Sequence, residues 1–277
     1  MTLRRLGMIG AGGMAETVLS AVTEGLTAPL DYFGVLVRSG SEPRASALLE
    51  RIGPKLARTR SVHTDIARLL ADKPDAMVEC AGHAAVRQYG EMILGGGCDF
   101  VVISIGALAD DALRAALLSA AQRHGVRLVL PAGAVGGLDA LGAARLSGLQ
   151  TVTYTGRKPP AAWRGTPAER LLDLGALSAP AIFFEGTARQ AATDYPQNAN
   201  VAAAVAIAGL GFDATRVRLI ADPKAARNVH EISVRAGCGD FDLQLEGRPS
   251  PLNPKTSLMA GFSVAREILN RSGALVV

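Results

Sequence analysis

Through the first half of the chain, short apolar runs rich in β-branched residues alternate with segments whose apolar positions recur every three or four residues. "LRRLGMIG" reads as a strand and "GMAETVLSAVTEG" as a helix closed by Gly25. "YFGVLV" is the next strand. "SEPRASALLERIG" follows as a helix, with Ser41 as N-cap, Pro43 in its first turn and Gly53 at its end. "RSVHT" reads as a short strand and "TDIARLLAD" as a helix capped by Thr64. "DAMVECAG", "DFVVISIG" and "VRLVLPAG" add further strands, separated by the helical "HAAVRQYGEMILGGG" and "ADDALRAALLSAAQRHG". Such alternation predicts an α/β domain, a doubly wound parallel sheet of Rossmann type in the order 3-2-1-4-5-6.

After about Asp139 the pattern changes. "LQTVTYTGR", "AIFFEGTA", "TRVRLIAD", "NVHEISVRA" and "DFDLQLEG" read as strands without a helix between each pair, and one Ala-rich helix, "NVAAAVAIAGLG", intervenes. This predicts a second, α+β domain with a largely antiparallel sheet. "NPKTSLMAGFSVAREILN" reads as a last helix with Asn253 as N-cap and Pro254 at the first helical position. The expected organisation is therefore a nucleotide-binding domain over 1–138, a substrate domain over 139–252, and a C-terminal helix over 253–277 that packs back on the first domain.

Composition narrows the function. The chain has 277 residues, 49% hydrophobic and 19% charged, which is ordinary for a globular protein. Aromatics are only 4%, which argues against a base-stacking surface, and the net charge of +4 is scattered rather than gathered in basic runs. No nucleic-acid partner is expected. No apolar run reaches membrane-span length, and "MTLRRLGMIG" has no long apolar core before a cleavage site, so a cytoplasmic protein without a membrane association is expected. Cys80, Cys98 and Cys238 are odd in number and widely spaced, matching neither a disulfide framework nor a zinc site.

The chemistry begins in "GMIGAGGMA". Gly10, Gly12, Gly13, Met14 and Ala15 fit G-x-G-x-x-A, placed between a strand and a helix as the motif requires. Gly10 serves the tight turn, Gly12 the approach of a pyrophosphate, and Ala15 close helix–strand packing, with phosphates at the helix N-terminus. An acidic reader of the ribose is expected at the end of the second strand, yet "VLVRSG" supplies Arg38 and Ser39. A guanidinium favours a 2′-phosphate, so NADP(H) is expected to serve at least as well as NAD(H). The alternative is a solvated surface arginine. Ala81 and Gly82 of "CAGH" follow the fourth strand, at the carboxyl edge where a dinucleotide runs.

Longer stretches are more specific. "VECAGHAAV", "SIGALAD", "LPAGAVGGLDAL" and "RKPP", followed by "YPQNANVAA", "RNVHEI" and "NPKTS", closely resemble the L-aspartate dehydrogenase family over nearly the whole chain. The resemblance implies NAD(P)-linked oxidation of L-aspartate to iminoaspartate, or reductive amination of oxaloacetate with ammonia. It also implies a homodimer and a link to pyridine-nucleotide biosynthesis. Two positions depart from the family pattern. The family often carries an acidic residue where Arg38 stands, and more often Ser where Ala132 stands.

Amine oxidation needs a base, and histidine titrates in the working range. In "RNVHEISV", strand alternation places Asn228, His230, Ile232 and Val234 on one face, expected to pack and to border an inter-domain cleft. Pattern alone suits a hydrogen-bonded core histidine; the resemblance implies the catalytic role for His230. Asn200 either caps a helix, as Asn198 could, or meets the nicotinamide carboxamide. The resemblance favours the cofactor for Asn200 and for Ala134. Lys255, Arg157, Lys158 and Arg227 are candidate cations for the substrate carboxylates. His83 is a candidate substrate contact or simply a helix-start residue. Sugar oxidoreductases of similar plan are expected to carry Glu-Lys-Pro where "ISIGALAD" stands, and thioester chemistry would need a cysteine beside a base. A non-catalytic NADP(H)-binding redox regulator would keep the glycine loop without needing "RNVHEI".

Overall fold

The computed structural model describes residues 3–196 and 199–276, with backbone alone for residues 253–255. Asn198 and the Lys255 side chain, both singled out above, lie outside the described residues. The chain divides into two compact units, one made of Met1–Pro131 with Ala260–Val277, the other of Ala132–Met259.

The first unit is built on β1 (Arg5–Ile9), β2 (Leu30–Leu36), β3 (Ala57–His63), β4 (Ala76–Glu79), β5 (Asp99–Val102) and β6 (Leu128–Val129). They pair in parallel in the order β3-β2-β1-β4-β5-β6. The connecting helices are α1 (Gly13–Gly25), α2 (Glu42–Leu56), α3 (Ile66–Ala71), α4 (His83–Gly95) and α5 (Asp111–His124). A parallel sheet covered on both faces needs strands that are apolar throughout, and Leu6, Met8, Phe33, Leu36, Met77 and Phe100 are accordingly buried. Each such side chain contributes about 1.5–3 kcal/mol on burial.

Two local expectations are corrected. Helix α2 does not stop at Gly53 but runs through Pro54 to Leu56. Proline disfavours helical backbone at the residue before it partly through that residue's Cβ, and glycine has none, which eases the last turn. Helix α3 is capped by Asp65, whose carboxylate accepts from Ala67 N at 2.9 Å, rather than by Thr64.

The second unit contains β7 (Leu149–Lys158), β8 (Ala181–Thr187), β9 (Arg216–Ala221), β10 (Val229–Ala236) and β11 (Phe241–Glu246), in the order β11-β10-β7-β9-β8. Only β7 and β9 pair in parallel; the other neighbours are antiparallel. The helices are α6 (Leu138–Arg145), α7 (Ala168–Leu171), α8 (Ala188–Asp194) and α9 (Ala199–Ala208). Helix α8, which periodicity missed, is fixed by a capping box between Thr187 and Gln190. Helix α9 is apolar on all sides and correspondingly buried, from Val201 through Ala206.

The reading of Asn253 as a helix cap is overturned. Residues Asn253–Ser257 form β13, which pairs antiparallel with β12 (Pro249–Ser250), and α10 (Leu258–Ser272) begins only afterwards. Pairing of this segment with Pro249 and Ser250 holds it extended, so the hairpin prevails over the cap signal. From Ala260 onward α10 belongs to the first unit. There Gly261 lies over Thr17, Leu3 N donates to Arg271 O at 2.8 Å, and the Arg271 guanidinium pairs with Asp99 at 2.5 Å.

Candidate active site

The glycine loop lies between β1 and α1. Gly10 has φ +98°, a backbone that side chains rarely adopt, and a Cβ there would come within 2.9 Å of the Cys80 carbonyl oxygen. Gly12 is different. Its φ is −87°, and a Cβ on it would meet no atom of the described residues within 4 Å. Neither strain nor packing demands glycine at 12; an open approach to the start of α1 does. Gly12 caps α1 without a side chain, which leaves the first helical N–H groups for an anion. Ala15 is fully buried behind it.

A cavity of about 370 Å³ opens beside the loop, lined by Gly10, Ala11, Gly12, Arg38, Ser41 and Arg44, with Cys80 and Ala81 on its other wall. No acidic residue lines it among the described residues. Arg44 and Ser41 were not anticipated as ligand-facing. Ser41 caps α2 but makes no side-chain capping bond, so two guanidinium groups, a hydroxyl and a helix start converge. That donor set fits a phosphate ester, and the cavity fits part of a dinucleotide. Ser39 is exposed and does not line the cavity; neither do Gly13, Met14 and Gly82. Gly13 and Met14 open α1, and Gly82, at φ +102°, caps α4, whose first residue is His83.

The wall carrying Ala81 is fixed by Glu79, which is fully buried at the end of β4. Its carboxylate accepts from Ala81 N at 2.6 Å, Gly82 N at 2.5 Å, Ser104 N at 3.0 Å and Ser104 Oγ at 3.1 Å. Burial raises its pKa, and these donors oppose the rise. Glu79 thus ties the loop after β4 to the loop after β5. Desolvation raises the Cys80 thiol well above its ordinary value and Cys98 to about 11, so neither is a thiolate nucleophile at neutral pH.

In the second unit, His230 sits on β10, whose His230, Ile232 and Val234 are all buried on one face. Its Nδ1 hydrogen-bonds the Tyr154 hydroxyl at 2.9 Å, and the rings stack with centroids 6.0 Å apart. The residue opposite His230 on β7 is Gly156. A Cβ at Gly156 would crowd the Tyr154 hydroxyl at 2.8 Å, so glycine here keeps the phenol within reach of the imidazole. Burial, with a smaller effect of the Lys158 charge, pushes the His230 pKa down to about 4. Burial also raises the Tyr154 pKa far above its usual value. At neutral pH the pair is a neutral imidazole bonded to a neutral phenol. With Nδ1 engaged, Nε2 is the nitrogen left for chemistry. It is basic when the Nδ1 proton is donated to the phenol oxygen.

Lys158 lies on the same β7 face, two residues beyond Gly156. Burial lowers its pKa to about 8, and its Nζ stands 4.8 Å from the Trp163 ring centroid. Arg157 points the other way and is already paired, with Asp222 at 3.2 Å and Glu231 at 3.5 Å. Arg227 lines a second cavity, together with Lys158 and Asn228. Ala134 is half-buried in the loop after β6, and Asn200 is half-buried in the first turn of α9. No cluster of three or more metal-ligating side chains occurs among the described residues, and no helix there is long and apolar enough to cross a membrane.

Residues 139–271 match the family described as aspartate dehydrogenase, C-terminal, and residues 10–131 match the homoserine dehydrogenase NAD-binding domain. The chain is 46% identical over 272 residues to an L-aspartate dehydrogenase of Ruegeria pomeroyi, covering 98% of this chain and 94% of that protein. It is 42% identical over 271 residues to an L-aspartate dehydrogenase of Pseudomonas aeruginosa, covering 98% of each. Among solved structures, aspartate dehydrogenase from Thermotoga maritima superposes with a TM-score of 0.75 at 22% identity, over 99% of both chains, a likeness of fold. With a nucleotide-binding first unit and sequence identity sustained across both units, this chain belongs to the aspartate dehydrogenase family.

Proposed function

We propose that the protein oxidises L-aspartate at Cα with NAD(P)⁺ to iminoaspartate, releasing NAD(P)H and a proton. Water then converts the imine to oxaloacetate and ammonia, and the sequence also runs in reverse. The nicotinamide supplies the hydride acceptor. Hydride leaves Cα only when the nitrogen lone pair is free, so the ammonium must first lose a proton. His230 Nε2 takes it, passes it to solvent as the proton released with NAD(P)H, and, neutral again, draws a proton from the water that attacks the imine carbon. The observation that carries this reading is the imidazole held neutral on the buried face of β10, bonded to Tyr154. An imidazole that is unprotonated at the working pH is free to accept that proton.

In the same proposal the start of α1, with Gly10, Gly12, Gly13 and Met14, takes the cofactor diphosphate. Arg38, Ser41 and Arg44 take a ribose 2′-phosphate. Ala81, Gly82, Ala134 and Asn200 serve the rest of the dinucleotide, and His83 and Lys255 contact the substrate. The active species is a homodimer.

The test is direct: purified protein is mixed with L-aspartate and NADP⁺ or NAD⁺, and reduced nicotinamide is followed by absorbance, with L-alanine and L-glutamate alongside. Reduction with aspartate above the other amino acids is expected, and at least as fast with NADP⁺ as with NAD⁺. Absence of turnover with aspartate, and with oxaloacetate plus ammonia in reverse, would overturn the proposal.

A further inference from the structure

The second unit holds a cavity of about 570 Å³ whose charge is one-sided. Lys158, Arg164, Arg227 and Arg248 all line it, with no acidic residue among the described lining. Of these, Arg227 stands 4.0 Å from Glu246, whereas Arg164 and Arg248 form no ion pair among the described residues. Ser257, on the same lining, has a buried hydroxyl with no hydrogen-bond partner among the described residues. Buried polar atoms are rarely left so, and a hydroxyl sharing a cavity lining with two guanidinium groups outside any described ion pair is a donor set for a carboxylate or phosphate.

The position of the cavity relates it to the imidazole. His230 is in register with Gly156. Lys158 and Asn228, both on the cavity lining, lie two residues along the sequence from Gly156 and His230 respectively. Two strand residues span about 7 Å, the reach of a short carbon chain. A small molecule reaching the Lys158 and Asn228 end of the cavity therefore comes within that span of His230.

We propose that this cavity takes the side-chain carboxylate of a dicarboxylic amino acid, anchored by Arg164 and Arg248, and thereby sets the preference for substrates carrying a second carboxylate. It rests on the dehydrogenase reading above and adds the residues that choose the substrate. Arg→Ala removes a bidentate partner of the anion; Arg→Lys keeps the charge but loses the fork.

The experiment compares the intact enzyme with Arg164→Ala, Arg248→Ala, the double variant and Arg248→Lys. Readouts are KM for L-aspartate, inhibition by succinate, KM for the cofactor, and the ratio of kcat/KM for L-aspartate over L-alanine. The double variant is expected to raise the aspartate KM and the succinate inhibition constant on the order of tenfold or more. The aspartate-over-alanine ratio should fall, the cofactor KM should not move, and Arg248→Lys should recover part of the loss. Unchanged aspartate KM and succinate inhibition would overturn the proposal, as would an equal rise in cofactor KM, which would assign these cations to the cofactor. If the wild type turns over no aspartate, the dehydrogenase reading fails. Calorimetric titration of succinate into the wild type and the double variant then still decides the cavity: weakened binding in the variant supports it, and equal or absent binding in both overturns it.

Discussion

Replacing His230 by Gln tests whether burial holds the imidazole neutral. The ordinary pKa is 6.5 and the folded value is about 4. A base whose pKa is depressed on folding favours the folded state when unprotonated. Its contribution is therefore complete above pH 6.5 and is lost as the pH falls toward 4. At 1.36 kcal/mol per pH unit, that gap amounts to about 3 kcal/mol. His230 is only 4% exposed, so solvent screening takes little from this figure. Urea unfolding of wild type and His230→Gln, followed by circular dichroism from pH 7 to pH 4, gives the difference in stability at each pH. Groups common to both proteins cancel, including Glu79, whose raised pKa acts in the opposite sense in the acid range. Lys158 acts elsewhere: lowered to about 8, it loses its contribution between its ordinary 10.5 and 8, on the alkaline side. The wild-type advantage over His230→Gln should therefore shrink by about 3 kcal/mol between pH 7 and pH 4. Parallel curves would show an imidazole that is not held neutral, and would refute the reasoning.

Further outcomes follow from the two sites. Arg38→Asp removes one guanidinium from the phosphate-fitting cavity and adds a repelling carboxylate; kcat/KM for NADP⁺ should drop by roughly 10- to 100-fold, the cost of a charge-assisted hydrogen bond. The NAD⁺ value should hold or rise, Arg44→Ala should repeat the NADP⁺ loss more mildly, and an unaltered cofactor ratio in both would remove the clamp. Tyr154→Phe deletes the phenol that meets His230 Nδ1; stability should fall by about 1 kcal/mol and kcat by roughly fivefold, with little change in aspartate KM. Steady-state kinetics and urea melts measure both, and an unchanged kcat would leave the phenol without a role in orienting the imidazole.

Much of this architecture was legible because its causes are local. Strands buried on both faces read as continuous apolar runs, and the glycine loop stands where its motif requires, so the parallel order could be read directly. Strand alternation likewise placed His230 with Ile232 and Val234 on the packed side. What escaped depends on pairings distant in sequence. Tyr154 and His230 are 76 residues apart, and only the β7–β10 register brings them together. The spacing Tyr154, Gly156, Lys158 on one strand face was the available hint. Arg44 and Ser41 gain meaning only once α2 starts beside the glycine loop, and Glu79 only once its loop folds back over it. At Asn253 a cap-like Asn-Pro pair was outweighed by hairpin pairing with Pro249 and Ser250.

The central claim is that the β10 imidazole accepts the substrate's proton. Its sharpest test is the kcat of His230→Asn with L-aspartate and saturating NADP⁺, alongside the affinity of the variant for NADP⁺. A loss on the order of 100-fold or more in kcat, with cofactor affinity intact, is the expected result. A variant turning over within about threefold of wild type would be incompatible with a general base worth 10²–10⁴ in rate, and would move the chemistry to another residue.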